Sequence, residues 1–306
     1  MRQRRRQMGN MVGHDAPHAP EASFGSRTKE NNGYEGLISC LYDEIDPNPL
    51  SRFGDNIIQL PLEQGGWCIA ETGERLFYVV FRPEAGRASV QNAQLRHLDP
   101  SGSVLEPVRR EVISSASVSQ TRASRAVREV VDFAVANDLV RLFTLTYANE
   151  PESPSSCAHE FKNFLRRLRW GRESFPWVEV LERGGDGGRL HHHVLTDASI
   201  SRRDVTDSWG RGHVLHSRAR TASGVRRIAG YVCKTFHTPP DDRLGTHRYR
   251  VSRFGVRPRA HGLVVTEVEL QSILKRVAPG GSYPWYPREP VPFHEYSLLW
   301  DPYKPA

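Results

Sequence analysis

The chain has 306 residues, 38% of them apolar, and a net charge of +7. This length allows two domains or one domain with long extensions, and 21 Pro and 25 Gly demand considerable loop and tail. No window approaches the roughly 20 apolar residues of a membrane-spanning helix. The four cysteines, Cys40, Cys68, Cys157 and Cys233, show no CxxC spacing; neither a zinc ribbon nor a disulfide framework is expected, and a cytoplasmic protein is.

Residues 1–33 are rich in Arg, Gly, Pro, Asn and Ser, with almost no apolar period, and are expected to be a disordered basic tail. Arg2, Arg4, Arg5 and Arg6 precede no apolar run, so they do not read as a signal peptide; they either touch DNA or are simply solvated. Residues 34–118 form an accessory region that could be β-rich. Its best strand candidate is 76–81, and 57–60 is a weaker one.

From residue 119 the pattern sharpens. A helix is expected to about residue 138, with Val127, Val130, Val131 and Ala134 on its buried face. A strand follows at 140–147. The next helix, at about 156–170, sets Phe161, Phe164, Leu165 and Leu168 at i, i+3, i+4 and i+7. Lys162, Arg166, Arg167 and Arg169 lie on its other face, either solvated or turned to DNA. Strands are expected at 176–182 and 190–196, joined by the Gly-rich reversal 183–189. Ser201 caps a short helix to Trp209, a strand follows at 213–216, and a last helix covers 222–236. The order, a helix and then β-α-β-β-α-β, is α+β and ferredoxin-like: a mostly antiparallel sheet with helices packed on one face. Residues 119–240 form this core. Residues 241–306 are a basic, then Pro- and aromatic-rich extension, with a strand at 263–268, a helix to 277, and no regular period in 279–306.

Charge is uneven. Residues 1–100 carry 11 basic and 13 acidic side chains (−2), residues 101–200 carry 13 and 13 (0), and residues 201–306 carry 18 and 9 (+9). The positive field favours a phosphodiester partner. The arginines of 243–259 read either as a phosphate-tracking surface or as a basic linker.

Chemistry concentrates around His191-His192-His193. Strand alternation puts His191 and His193 on one face and His192 on the other, so His192→Ala should be mild. Two imidazoles two residues apart can hold one metal ion, usually with a carboxylate as third ligand. The hairpin brings Glu182 near His191. Glu179 is counted on the same face and stays a competing ligand. In the 222–236 helix, Val225, Ile228, Ala229 and Val232 form a buried stripe, and Tyr231 and Lys234 lie together off it.

An HxH strand followed by a Tyr with a Lys three residues on resembles the rolling-circle replication initiators of the HUH endonuclease superfamily. His191-His192-His193 matches the HUH motif and Tyr231-Val232-Cys233-Lys234 matches YxxK. Residues 141–147 resemble the family's first motif and Leu181-Glu182-Arg183-Gly184 its carboxylate approach; the likeness covers roughly 119–240. His192 departs from the bulky apolar residue usual in the middle of HUH. The resemblance implies a divalent ion (Mg or Mn) on His191, His193 and Glu182, with Tyr231 as nucleophile and Lys234 assisting. It also implies nicking and rejoining of single-stranded DNA at a replication origin through a 5′-phosphotyrosine. Arg166, Arg226, Arg227, Arg248 and Arg250 are expected to face the DNA. No GxxxxGK[ST] occurs, so a separate helicase, supplied by the host cell, is expected as partner. A non-catalytic DNA-binding regulator on a degenerate nuclease fold and a phosphodiesterase that uses water instead of tyrosine are the alternatives.

Overall fold

Short β-rich runs and strongly capped helices alternate through the described residues, which are 58–59, 68–70, 72–93, 115–184, 188–236, 249–277, 296–299 and 302 of the computed structural model. All belong to the unit Asn31–Ala306. The tail at 1–33, Arg248 and most of 279–306 lie outside the described residues.

The elements are β1 (Ile58–Gln59), β2 (Cys68–Ile69), β3 (Leu76–Arg82), β4 (Arg87–Asn92), α1 (Ser115–Ala136), β5 (Arg141–Thr146), α2 (Pro154–Leu168), β6 (Trp177–Arg183), β7 (Leu190–Thr196), α3 (Arg202–Trp209), β8 (Val214–Arg218), α4 (Ala222–Val232), β9 (Tyr249–Val251), β10 (His261–Thr266), α5 (Glu267–Val277) and β11 (Tyr296–Leu299). Local chemistry sets the starts of three helices. The Ser153 hydroxyl accepts from Ser156 N ahead of Pro154, and Thr221 accepts from Gly224 N. Ser201 and Asp204 form a reciprocal capping box.

Five strands form the central sheet in the order β8-β5-β7-β6-β9, every neighbouring pair antiparallel. The expected ferredoxin-like α+β arrangement is observed, with β9 added at one edge. Helices cover both faces rather than one. On one face α2 and α3 pack Phe161, Phe164, Leu168, Val205 and Trp209 against Phe143, Leu145 and Val194. On the other, α1 and α4 pack Val130, Phe133, Val225, Ala229 and Val232 against Leu142, Val178, Val180 and Leu195. Burying each large apolar side chain contributes about 1.5–3 kcal/mol, so both faces anchor the strand register.

A second sheet, β10-β3-β4-β11, is antiparallel and draws β3 and β4 from the accessory region and β10 and β11 from the C-terminal extension. Strand β11 lies where no regular period is visible in the sequence; pairing of residues 296–299 with 87–90 makes it a strand. The helix expected over 222–236 stops at Val232, and Lys234 sits in the turn that follows.

Candidate active site

The β6–β7 hairpin places the expected ligands by register. Glu182 lies directly opposite His191, and Val180 opposite His193. The reversal needs its glycines: a Cβ on Gly188 would come 2.7 Å from Gly184 Cα, and Arg183 closes the base by donating to Glu150 and to the Gly188 carbonyl. Among the described residues, Glu182, His191 and His193 are the one group whose ligand atoms converge, all within 4.8 Å of one another. His191 Nε2 lies 3.2 Å from His193 Nε2, which lies 3.1 Å from Glu182 Oε2. The His191–Glu182 separation is 3.8 Å.

The other ring nitrogens are already occupied. His191 Nδ1 stands 3.1 Å from the Arg189 carbonyl, which can only accept, so Nδ1 carries the proton and Nε2 presents its lone pair. Burial holds the His191 pKa below its usual value, which keeps that lone pair free near neutrality. His193 Nδ1 meets the Thr144 hydroxyl at 3.0 Å. Thr144 escapes a reading of motifs; it is found only through the β5–β7 pairing, where it is the residue opposite His193. Burial would raise the Glu182 pKa, but hydrogen bonds from His193 and Lys234 outweigh it and hold it down. These donors fit a divalent cation: two imidazole nitrogens and one carboxylate oxygen facing a single point, each oriented by a neighbour.

Tyr231 closes the other side. Its side chain is 52% exposed, and its ring meets that of His193 edge-on, centroids 5.9 Å apart. Lys234 Nζ donates to the Tyr231 hydroxyl at 3.3 Å and pairs with Glu182 Oε1 at 3.2 Å. Burial opposes the charge on Lys234, yet its bonds to Glu182 and Tyr231 outweigh that and raise its pKa. The rival tyrosines are engaged elsewhere. The Tyr249 hydroxyl donates to Glu129, and burial pushes its pKa up to about 12. Tyr147 is buried, 2.6 Å from His192 Nε2, its pKa pushed up by burial. The buried Cys233 thiol is likewise pushed up to about 12.

Two expectations need correction. Glu179 does not share the face of Glu182: the separation is three residues, an odd number, so alternation turns it to the α2 side. There its fully buried carboxylate takes Nε and Nη2 of Arg250 at 2.9 and 3.1 Å and His192 Nδ1 at 2.6 Å. Burial would raise its pKa, but these bonds prevail and lower it. His192 is therefore no idle middle residue. It is completely buried, stacks on Phe161 and bridges Glu179 to Tyr147, so its removal cannot be mild.

The arginines expected on DNA divide. Arg166 and Arg227 are exposed. Arg250 is committed to Glu179, and Arg226 donates to the carbonyls of Ala85 and Gly86, so neither guanidinium is turned to a ligand as expected. Arg248 lies outside the described residues, within which no helix is long and apolar enough to cross a membrane.

A family model described as a replication-associated protein of the ORF2 class matches residues 140–238, about a third of the chain. Searches of curated proteins and of solved structures give no match. The matched span contains Thr144, Glu182, His191, His193, Tyr231 and Lys234, and the match supports a role for this chain in the initiation of DNA replication.

Proposed function

We propose that the chain is a rolling-circle replication initiator of the HUH type, nicking and rejoining single-stranded origin DNA through a tyrosine-linked intermediate. One observation carries this reading: Lys234 Nζ bridges the Tyr231 hydroxyl to Glu182, the carboxylate of the convergent cluster. A candidate nucleophile and a candidate metal site thus face each other across one ammonium group.

His191, His193 and Glu182 would hold a divalent ion, Mg or Mn, whose contribution is Lewis acidity toward a phosphoryl oxygen. The chain's own groups do the rest. The Tyr231 oxygen attacks phosphorus and the bond to the 3′ oxygen breaks, leaving the 5′ phosphate on tyrosine and a 3′ hydroxyl free to prime synthesis. The ester keeps the energy of the broken bond, so the same residue can rejoin the strand. A phenol, with an ordinary pKa of about 10, needs help near neutrality. Lys234 supplies positive charge against the phenol and the transition state. Arg166 and Arg227, exposed on α2 and α4, are the arginines available for phosphate contacts. The partners are single-stranded DNA and a separate helicase.

Incubating the chain with a random single-stranded library and Mn²⁺, then mapping the trapped adduct, tests this. The expected adduct lies on the peptide containing Tyr231, and Tyr231→Phe removes it while DNA binding persists. An adduct on another tyrosine, or cutting with none, refutes the proposal; the second outcome favours the water-using alternative.

A further inference from the structure

Connections between strands usually run over the surface, because backbone polar groups buried there need partners. The β3–β4 connection does not. Pro83, Glu84, Ala85, Gly86 and Arg87 are all buried. The turn is tight: Gly86 adopts φ 58° and its N–H bonds to the Pro83 carbonyl.

Charged groups from both helices of the metal-side layer hold this turn. From α4, Arg226 Nη2 donates to the carbonyls of Ala85 and Gly86 at 2.8 and 2.9 Å. From α1, the buried Asp132 carboxylate takes Arg87 Nη2 at 2.7 Å, with Arg82 Nε at 3.7 Å. On a third side, Arg259 N meets the Glu84 carboxylate at 3.3 Å. Arg226 precedes Tyr231 by five residues, which is about 7.5 Å along the helix and about 140° around it. The turn therefore grips α4 on one side while Tyr231 faces the metal cluster from another.

Resting on the function proposed above, we infer that the β3–β4 turn is a brace that fixes α4, and with it Tyr231 and Lys234, against Glu182, His191 and His193. Arg226 is the positioning residue. This gives the second sheet a role in the chemistry: it holds the nucleophile helix in place from outside the ferredoxin-like core. Arg226 acts through the helix and touches neither DNA nor the reacting atoms.

The test uses the full chain and Arg226→Lys, which keeps the charge but cannot span two carbonyls with a planar fork. Three readouts are compared at a temperature where both proteins are folded. The first is the single-turnover rate on the best-cut library oligonucleotide at saturating DNA and Mn²⁺. The second is the salt dependence of DNA binding. The third is the ¹⁹F resonance of fluorotyrosine-labelled protein that Tyr231→Phe removes. The brace requires the Tyr231 resonance to move and the saturated rate to fall about a hundredfold, with DNA affinity and its salt slope unchanged. Asp132→Asn, which loosens the same turn from α1, should move the same resonance.

An unmoved resonance overturns the inference, as does an unchanged rate with only a lower melting temperature. A weaker affinity whose salt slope drops by about one, at an unchanged saturated rate, makes Arg226 a phosphate contact and also overturns it. If the wild-type chain cuts nothing, the proposed function fails, and the resonance alone decides the brace: movement in Arg226→Lys supports it and no movement overturns it.

Discussion

His191 and His192 are sequence neighbours on opposite faces of one strand, and their substitution should separate chemistry from stability. His192→Ala removes a completely buried ring that bonds Glu179 Oε1 and the Tyr147 hydroxyl at 2.6 Å each and packs on Phe161 and Trp209. Losing a hydrogen bond to a charged group costs about 1.5–3 kcal/mol, and leaving a buried hydroxyl unpaired costs about 1–3 kcal/mol. Arg250 still neutralises Glu179, which keeps the total near the range for breaking a buried pair, about 3–5 kcal/mol. Against a typical total stability of about 5–15 kcal/mol this is a large fraction. His191→Ala removes a partly exposed ring whose packing partners are His193 and solvent. Its cost in stability should be below about 1 kcal/mol, while cleavage is abolished. Urea unfolding of both variants, read as a change in midpoint at constant slope, measures the difference. Equal stability losses in the two variants, or a His192→Ala loss below about 1 kcal/mol, would refute the assignment of faces and the account of the buried chain.

Three further outcomes follow from the same geometry. Lys234→Ala should slow adduct formation about 10²–10³-fold without abolishing it, in single-turnover assays; complete loss would mean that Lys234 is required to hold Glu182 in place. The folded-state pKa values of Glu179 and Glu182 lie below the ordinary glutamate value of 4.5. Their contribution to stability is thus fully present above pH 4.5 and is lost as pH falls through the folded values, so the urea midpoint should drop there, and less so in Glu179→Gln. With no P-loop in its sequence, the purified chain should nick single strands yet leave an ATP-supplied duplex paired in a strand-displacement assay.

Much of the site was legible in the sequence because its determinants are local. Two-residue alternation separates His191 and His193 from His192, a short Gly-rich reversal brings Glu182 opposite His191, and a helical turn sets Lys234 beside Tyr231. The caps at Ser201 and Thr221 are also local, since each bonds a backbone N–H three residues on. Glu179 shows the limit: its face follows from counting, but its partner does not. Arg250 is 71 residues away, and only the pairing of β9 with β6 brings the two together. The turn at 83–87 reads as an ordinary surface connection, and nothing within it signals the α1 and α4 side chains that bury it. Strand β11 has no period of its own and exists through its pairing with β4. Spacings of two, three and four residues are set by backbone geometry and are therefore visible in the sequence. Contacts across roughly 40 to 200 residues depend on which surfaces exclude water together, and those are settled only when the sheets and helices have packed.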